Sequence, residues 1–438
     1  MRLRLFILTF LPLLVLSCSE GIEKSIDEPT EEIIDVPAIE ITDNELTPIE
    51  LTTATRSFVE KGNKFAFRLL QEVSEKEEGN FMISPLGVTL AFGMVLEAAE
   101  DGEVMDEVCK VLGFEGGSRE DIRDYCTTML ERLPGMDKLS KVALANMALV
   151  NSDFGAVSPS FSSTVSGYHN ALVKGMSFNT PTSVVDYVNG WAKENTSGMI
   201  ENAIRTDDIN PLTTAILSNA LYFDGKWKSR FKKSDTQKEE FTLAGGGTKD
   251  LEMMKQEERF SSRAFYVGAT FYGSMLRMPY GNGAFSMDVY LPSGEDKEVD
   301  DILEVFASNN MNFSDWETPK TNLWFPKFEL KETRIDLKEI LKDMGMKTAL
   351  SSKAWLSVYE EKDLKSCIDK VFQTSAISVE EEGTEASAVT VVSMKRGASL
   401  DYQPKYNKLT FHCDHPFIYT ITETSTGAIL FAGVFRGE

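Results

Sequence analysis

The chain contains few of the residues on which most catalytic sites depend, with three histidines and five cysteines among 438 residues. The cysteines show no CxxC spacing, so the sequence carries no zinc or thiol redox motif. The patterns H-E-x-x-H, G-x-S-x-G, the P-loop and G-x-G-x-x-G are absent as well. We therefore expect no enzyme, no bound metal and no cofactor. A hydrolase with two carboxylates stays open, because acidic residues are abundant although no pair stands out.

Apolar segments are short, and the most telling one lies at the N-terminus. Residues 5–16 follow Arg2 and Arg4 and are too few to span a bilayer readily, which is typical of a signal peptide. The segment ends in Val15-Leu16-Ser17-Cys18, which resembles a bacterial lipobox. We predict a lipoprotein signal peptide over residues 1–17 and acylation of Cys18, with an ordinary secretory signal as the alternative. The protein would then be a cell-envelope lipoprotein, periplasmic or on the cell surface.

Aromatic residues are almost lacking from residues 18–54, which are rich in Glu, Asp, Pro, Ile and Thr. Such a segment buries too little apolar surface to offset chain entropy, so we predict an acidic disordered tether. Residues 55–438 contain no second linker and no internal repeat, which indicates one large domain. The net charge of −23 argues against nucleic acid as a partner. We expect a monomer that contacts the membrane through the lipid anchor alone.

Helical periodicity dominates the first part of the domain and strands dominate the rest, which predicts an α+β fold. Apolar residues recur at helical spacing from Phe58 to Val73, and Ser84-Pro85 is typical of a helix start. Further helices are predicted through Leu112 and over residues 121–133 and 184–201. Strands are predicted over residues 142–151, 214–224, 274–278, 286–291, 322–327, 372–380, 408–412 and 417–435.

Residues 379–400 combine two patterns that rarely occur together. From Thr384 onward every second residue is small or apolar, as a half-buried strand requires. The segment ends in Lys395-Arg396-Gly397, a basic site of the kind that proteases cleave in exposed loops. The sequence thus predicts a segment with two states, loop and strand.

Short motifs in a fixed order make residues 56–438 resemble the serpin family. The matching motifs are Asn80-x-x-x-Ser84-Pro85, Leu144-Ala-Asn-Met-Ala-Leu149, Asn189-x-Trp191-x(4)-Thr196-x-Gly198-x-Ile200, Ser218-Asn-Ala-Leu-Tyr-Phe-Asp-Gly-Lys-Trp227, Met278-Pro-Tyr280, Pro326-Lys-Phe328, Met344-Gly-Met346 and His415-Pro-Phe417. The resemblance implies a serpin fold of mainly antiparallel sheets with about nine helices. It also implies an exposed reactive-centre loop, at about residues 380–406.

The resemblance further implies a suicide-substrate mechanism, for which serpins are themselves the known example. A protease cleaves the loop, forms a covalent acyl complex, and is trapped when the hinge inserts into the main sheet. The residues that match the hinge are Glu382, Gly383, Thr384, Glu385, Ala386, Ser387, Ala388 and Val389. Trp227 matches the breach, where insertion starts, and Ser84, Asn219 and Gln373 match the polar shutter beneath the sheet.

Several features of this match leave alternatives open. Spacing from Gly383 puts the specificity residue at Gly397, whereas a loop one residue shorter puts it at Arg396. Arg396-Gly397 is the preferred reactive bond because arginine fits a trypsin-like pocket, with Lys395 as the alternative. Elastase-like and cysteine proteases also stay open as targets.

Two shutter positions depart from the family, since Gly87 replaces a frequent serine and Gln373 a frequent histidine. These departures put the kinetics of loop insertion in doubt more than the fold. A non-inhibitory serpin-fold binding or structural protein of the envelope is therefore the competing interpretation.

Overall fold

A computed structural model describes residues 44–100, 102–210, 212–294, 297–384 and 408–437. Within these ranges there are eight α-helices: α1 (Thr53–Ser74), α2 (Pro85–Ala98), α3 (Glu103–Leu112), α4 (Arg119–Arg132), α5 (Pro159–His169), α6 (Pro181–Asn195), α7 (Val299–Ala307) and α8 (Lys338–Asp343). Two short 3-10 helices, Thr206–Asp208 and Lys233–Asp235, lie in the same ranges. None of the helices in the described ranges is long and apolar enough to cross a membrane.

The strands of the described ranges, in chain order, are β1 (Phe81–Ile83), β2 (Ser140–Asn151), β3 (Ala171–Met176), β4 (Ala215–Lys226), β5 (Gln237–Thr242), β6 (Thr248–Arg259), β7 (Ser261–Val267), β8 (Thr270–Pro279), β9 (Phe285–Pro292), β10 (Asn312–Phe313), β11 (Lys320–Pro326), β12 (Phe328–Asp336), β13 (Phe372–Glu380), β14 (Gly383–Thr384), β15 (Lys408–His412), β16 (Phe417–Glu423) and β17 (Ile429–Phe435).

These strands form three sheets, and most neighbours are antiparallel. The seven-stranded sheet has the order β1-β17-β16-β9-β8-β7-β10, and the four-stranded sheet has the order β15-β11-β6-β5. The six-stranded sheet, called the main sheet below, has the order β12-β13-β14-β4-β2-β3. The parallel pairs are β2 with β3 and β11 with β15. The predicted α+β class, with mainly antiparallel sheets, is confirmed.

The helix α2 lies in the centre of the molecule, between β4 of the main sheet and β17 of the seven-stranded sheet. Nearly all of its residues are buried, because it packs against a sheet on either side. Ser84 caps its first turn by accepting a hydrogen bond from the Gly87 N–H at 3.0 Å. Pro85 occupies the first helical position, as the sequence predicted.

Residues 44–52, which composition assigned to the tether, lie against the domain. Asn44 accepts a hydrogen bond from the Lys138 N–H at 2.8 Å and donates one to the Met136 carbonyl at 2.8 Å. Ile49 is buried, and its N–H donates to Ser425 Oγ at 2.9 Å. Within the described residues, contacts with the domain are present from Asn44 onward, ahead of the boundary predicted at residue 54.

Candidate functional site

The two-residue strand β14 places the start of the predicted hinge inside the main sheet. Thr384 lies opposite Gly225 of β4 on one side and opposite Val379 of β13 on the other. Both pairings are antiparallel, and the Thr384 side chain is buried. The hinge therefore already forms the first rungs of an additional strand between β4 and β13.

Gly383 allows this close approach because it has no side chain. A Cβ atom at this position would lie 2.1 Å from the Gly225 carbonyl oxygen and 2.8 Å from the Lys226 Cα. Both are backbone atoms, which cannot rotate away as a flexible side chain could. The glycine is required by contact with β4 and not by an unusual backbone angle.

An aromatic stack supports the buried hinge residue from below. The Tyr280 hydroxyl and Thr384 Oγ1 form a hydrogen bond of 2.7 Å. The Tyr280 ring stacks on Trp227, with centroids 4.4 Å apart and an interplanar angle of 13°. Trp227 is buried, and its Nε1–H donates to the Glu380 carbonyl at 2.9 Å. Its backbone N–H donates to the Glu382 carbonyl at 2.9 Å, so Trp227 holds both ends of the acidic turn.

The acidic turn itself is matched by nearby cations and a hydroxyl. Lys327 lies 3.3 Å from the Glu381 carboxylate and 3.7 Å from that of Glu380, and Lys233 lies 3.7 Å from that of Glu382. Burial alone would raise the pKa of Glu381. Hydrogen bonds from its own backbone, from Thr236 and from Lys327 outweigh burial and hold that pKa below its ordinary value. The turn is therefore charged yet closely held.

Below the hinge, a polar cluster joins α2 to the main sheet. Gln373 of β13 accepts a hydrogen bond from the Ser84 N–H at 2.6 Å and donates to the Ser84 carbonyl at 3.0 Å. Asn219 of β4 donates to Asn146 Oδ1 of β2 at 2.8 Å. A Cβ on Gly87 would lie 2.7 Å from Asn219 Oδ1 and 3.2 Å from Gln373 Nε2, so the glycine leaves the space that both amides occupy.

A gap separates β4 from β13 below β14, and we call this gap the slot. In the described part of the chain these two strands are joined only through β14. A cavity of about 180 Å³ occupies the slot. It is lined by α2 and by residues 215–220 of β4. Residues 372–374 of β13, and residues 366–371 just before that strand, complete this part of the lining. The main sheet thus has room for a strand between its two central neighbours.

The four predicted breach and shutter residues lie beside the hinge or the slot. Trp227 contacts the hinge, while Ser84, Asn219 and Gln373 lie around Gly87 at the slot. The remaining predicted residues lie outside the described residues: Cys18, Glu385, Ala386, Ser387, Ala388, Val389, Lys395, Arg396 and Gly397. Sequence reasoning missed the contacts of Tyr280 and Gly225, although both belong to motifs that it identified.

Outside the hinge and the slot, the ranges that the structure covers contain no candidate metal centre. No group of three or more His, Cys, Asp or Glu residues is placed to hold a metal ion there. Cys109, Cys126, Cys367 and Cys413 are free thiols.

Comparison with known proteins agrees with the sheet architecture. The family model described as "Serpin (serine protease inhibitor)" matches residues 60–436. Iripin-2 of Ixodes ricinus is 30% identical over 375 residues, covering 85% of this chain and 91% of that protein. Serpin B3 of Homo sapiens is 28% identical over 402 residues, covering 86% of this chain and 99% of that protein.

Solved structures are similar over the same region. The thermophilic serpin tengpin in its native state superposes with a TM-score of 0.72 at 26% identity, covering 91% of this chain and 98% of that chain. Serpin48 of Tenebrio molitor superposes with a TM-score of 0.74 at 24% identity, covering 89% of this chain and 100% of that chain. At that identity the second match speaks for the fold alone.

Proposed function

The chain belongs to the serpin family, and we propose that it inhibits trypsin-like serine proteases as a suicide substrate. Family members are generally protease inhibitors rather than catalytic enzymes. The observation that carries the proposal is the position of Gly383–Thr384, paired on both sides at the head of an open slot. Elastase-like and cysteine proteases are further candidate targets.

The register of β14 gives the length of strand that the slot accepts. Each further residue of the inserting segment pairs one residue earlier in β4 and in β13. Thr390 would then lie opposite Asn219 and Gln373, and Met394 opposite Ala215, the first residue of β4. Cleavage at Arg396-Gly397, or one residue earlier after Lys395, therefore frees a segment long enough to pair along all of β4.

The side chains of the proposed strand suit the space beneath it. Since the Thr384 side chain is buried, alternate residues from it would point into the core. These are Ala386, Ala388, Thr390, Val392 and Met394. Small side chains near the hinge lower the barrier to separation of packed strands. Each new ladder hydrogen bond then contributes roughly 1 kcal/mol.

The trapping step follows from the chemistry of the protease and the movement of its substrate. The protease serine attacks the Arg396 carbonyl, an ester forms and the peptide bond breaks. The Gly397 amine is the leaving group and takes up a proton, while β15, β16 and β17 keep the segment after it in the fold. Insertion then carries the ester-linked protease along the sheet. Deacylation stops because the oxyanion hole and nucleophile must be held within a fraction of an ångström.

The test is formation of a covalent complex. The protein is mixed with trypsin and, separately, with elastase, and the products are resolved on denaturing gels. We expect a band at the summed mass and loss of trypsin activity, and mass spectrometry should place the cleaved bond at Arg396-Gly397. Arg396→Glu should remove trypsin inhibition without changing thermal stability. The matched variant Lys395→Glu should still inhibit trypsin. A loop that is cleaved without any complex would identify a non-inhibitory serpin instead.

For the location, we propose a lipid-anchored protein of the cell envelope, on the strength of the Val15-Leu16-Ser17-Cys18 motif. Metabolic labelling with an alkyne fatty acid should modify the wild-type chain and leave Cys18→Ser unlabelled. The labelled protein should sediment with membranes and withstand washing with high salt. Release of an unlabelled chain into the soluble fraction would refute the anchor.

A further inference from the structure

Of the four cysteines in the described ranges, Cys367 alone is exposed. The other three are buried, and burial raises the pKa of Cys109 to about 11, that of Cys126 to about 12, and that of Cys413 well above its usual value. Burial also shields these three thiols from reagents in solution. Cys367 is therefore the thiol that reagents reach in this part of the chain.

Cys367 lies at the mouth of the slot cavity, because it both lines the cavity and is exposed. Its position is fixed by its neighbour. Ser366 exchanges two backbone hydrogen bonds with Leu356, each of 3.0 Å, and Leu356 in turn pairs with Ala99 after α2. The thiol thus lies on a segment that backbone hydrogen bonds hold in place, just before β13.

Two residues that line the cavity carry buried hydroxyls without hydrogen-bond partners in the described structure. Ser366 is 4% exposed, and its Oγ has no hydrogen-bond partner. Thr374 Oγ1 is buried and unpartnered in the same way, and both residues line the cavity. An unpaired buried hydroxyl is destabilising, so a ligand that pairs with either would gain affinity.

The rest of the lining is mostly apolar, with Val88, Phe92, Ile204, Leu217 and Val358 among its side chains. The volume of about 180 Å³ suits one substituted aromatic ring, since an engineered apolar cavity of about 150 Å³ binds benzene. The fitting ligand is a compact aromatic or branched group with one polar substituent.

We propose that Cys367 is a modification site that takes a small thiol as a mixed disulfide, with the body of that thiol in the slot cavity. The thiolate of Cys367 attacks one sulfur of a low-molecular-weight disulfide, a new S–S bond forms, and the old one breaks. The departing thiolate takes the electron pair, and the proton of Cys367 passes to water. The exchange is electron-neutral, and the disulfide is its only co-reactant.

The consequence rests on the proposed inhibitory function. A group in the slot occupies the path of the inserting strand, so the modified protein would be cleaved and released as a substrate. Reduction of the mixed disulfide would restore inhibition. Cys367 would therefore couple the thiol–disulfide state of the envelope to protease control.

The experiment uses the full chain with Cys18→Ser, and Cys18→Ser/Cys367→Ser as its control. Each is treated with dithiodipyridine, which leaves a pyridylthio label with a single ring nitrogen and releases thiopyridone, which is quantified by its absorbance. We expect one rapid equivalent from the first protein and none from the control. The trypsin complex should disappear in proportion to the labelled fraction and return after dithiothreitol. The control should form complex throughout.

Methyl methanethiosulfonate supplies a matched label, because it attaches only a methylthio group to the same sulfur. The aromatic label should raise the melting temperature above that of the methylthio form, since it alone fills the cavity and pairs with Ser366 or Thr374. Equal melting temperatures would overturn cavity occupancy, even for a chain that inhibits no protease. If the protein with the aromatic label formed as much trypsin complex as the unlabelled protein, the label would not block strand insertion. Failure of the unlabelled chain to form complex would count against the proposed function alone.

Discussion

At the scale of single residues, the buried contacts of Thr384 hold the start of the hinge in the main sheet. Its side chain is buried and bonded to the Tyr280 hydroxyl at 2.7 Å, with no room for a charge. Thr384→Arg should turn the inhibitor into a substrate, because a barrier raised by about 3 kcal/mol slows insertion roughly 100-fold. The ratio of cleaved chain to complex on denaturing gels measures this. Thr384→Ser keeps the hydroxyl and should behave as wild type. A Thr384→Arg variant that still trapped trypsin would show that insertion is not the mechanism.

Gly383 supports a second prediction at this scale. Gly383→Ala places a Cβ against the Gly225 carbonyl oxygen, so β14 must move away from β4. We expect a destabilisation of about 1–3 kcal/mol, in line with other overpacked sites, and faster cleavage within the acidic turn by a glutamyl-specific protease. Gly245→Ala is the control, because a Cβ there meets no atom within 4 Å. Equal cleavage rates for wild type and Gly383→Ala would contradict the observed pairing.

The shutter shows what sequence could and could not predict about the site. Ser84, Asn219 and Gln373 were identified by resemblance, and all three lie around the slot. Two apparent losses, Gly87 for serine and Gln373 for histidine, appeared independent in the sequence. In the structure they are coupled, since the missing side chain at position 87 provides space for the longer amide. Contacts between residues so far apart in the chain have no local pattern from which to predict them.

At the scale of elements, an ion cluster joins α2, α4 and α5. Burial alone would raise the pKa of Glu97, but hydrogen bonds from His169 and Arg123, and their charges, lower it to about 2. Arg123 contributes Nε and Nη2, at 2.9 and 2.7 Å. A carboxylate with a lowered pKa stabilises the fold above its unfolded pKa, and this contribution is lost as the pH falls towards 2.

The prediction concerns acid stability. Glu97→Gln should lower the free energy of unfolding by about 3 kcal/mol at neutral pH and flatten its decline between about pH 5 and pH 3. Urea denaturation at a series of pH values measures both effects. Glu120→Gln removes an exposed partner of Arg123, 3.8 Å away, and should change little. Identical pH profiles for wild type and Glu97→Gln would refute the assignment.

The elements also show where periodicity succeeds. The predicted strands 372–380 and 408–412 match β13 and β15, because their alternation or apolar content is uninterrupted. Residues 417–435 form two strands, not one, since the chain turns at Gly427, whose φ is +80°. The charged strands β5, β6 and β12 were missed, because their many charged residues leave too few apolar residues to show a clear period of two. The helices α5, α7 and α8, of 11, 9 and 6 residues, were not predicted.

At the scale of the whole molecule, the slot leaves the main sheet incomplete. Insertion of the cleaved segment would add a central strand and fill a cavity of about 180 Å³. Limited cleavage of the reactive loop should therefore raise the melting temperature, against the usual effect of a chain break. Differential scanning calorimetry before and after brief trypsin treatment measures the change. Thr384→Arg, cleaved in the same way, should gain little. An unchanged melting temperature in the cleaved wild type would mean that the slot stays empty.

The position of Asn44 limits how far the domain can move from a membrane anchor at Cys18. Its carbonyl accepts a hydrogen bond from Asn282, two residues beyond the Tyr280 that contacts Thr384, so Asn44 lies near the buried hinge residue. With Cys18 acylated, the intervening chain of about 26 residues spans at most roughly 90 Å when fully extended. Such an inhibitor would act only within a thin layer beside its own membrane. It would protect neighbouring proteins in that layer and leave proteases farther away untouched.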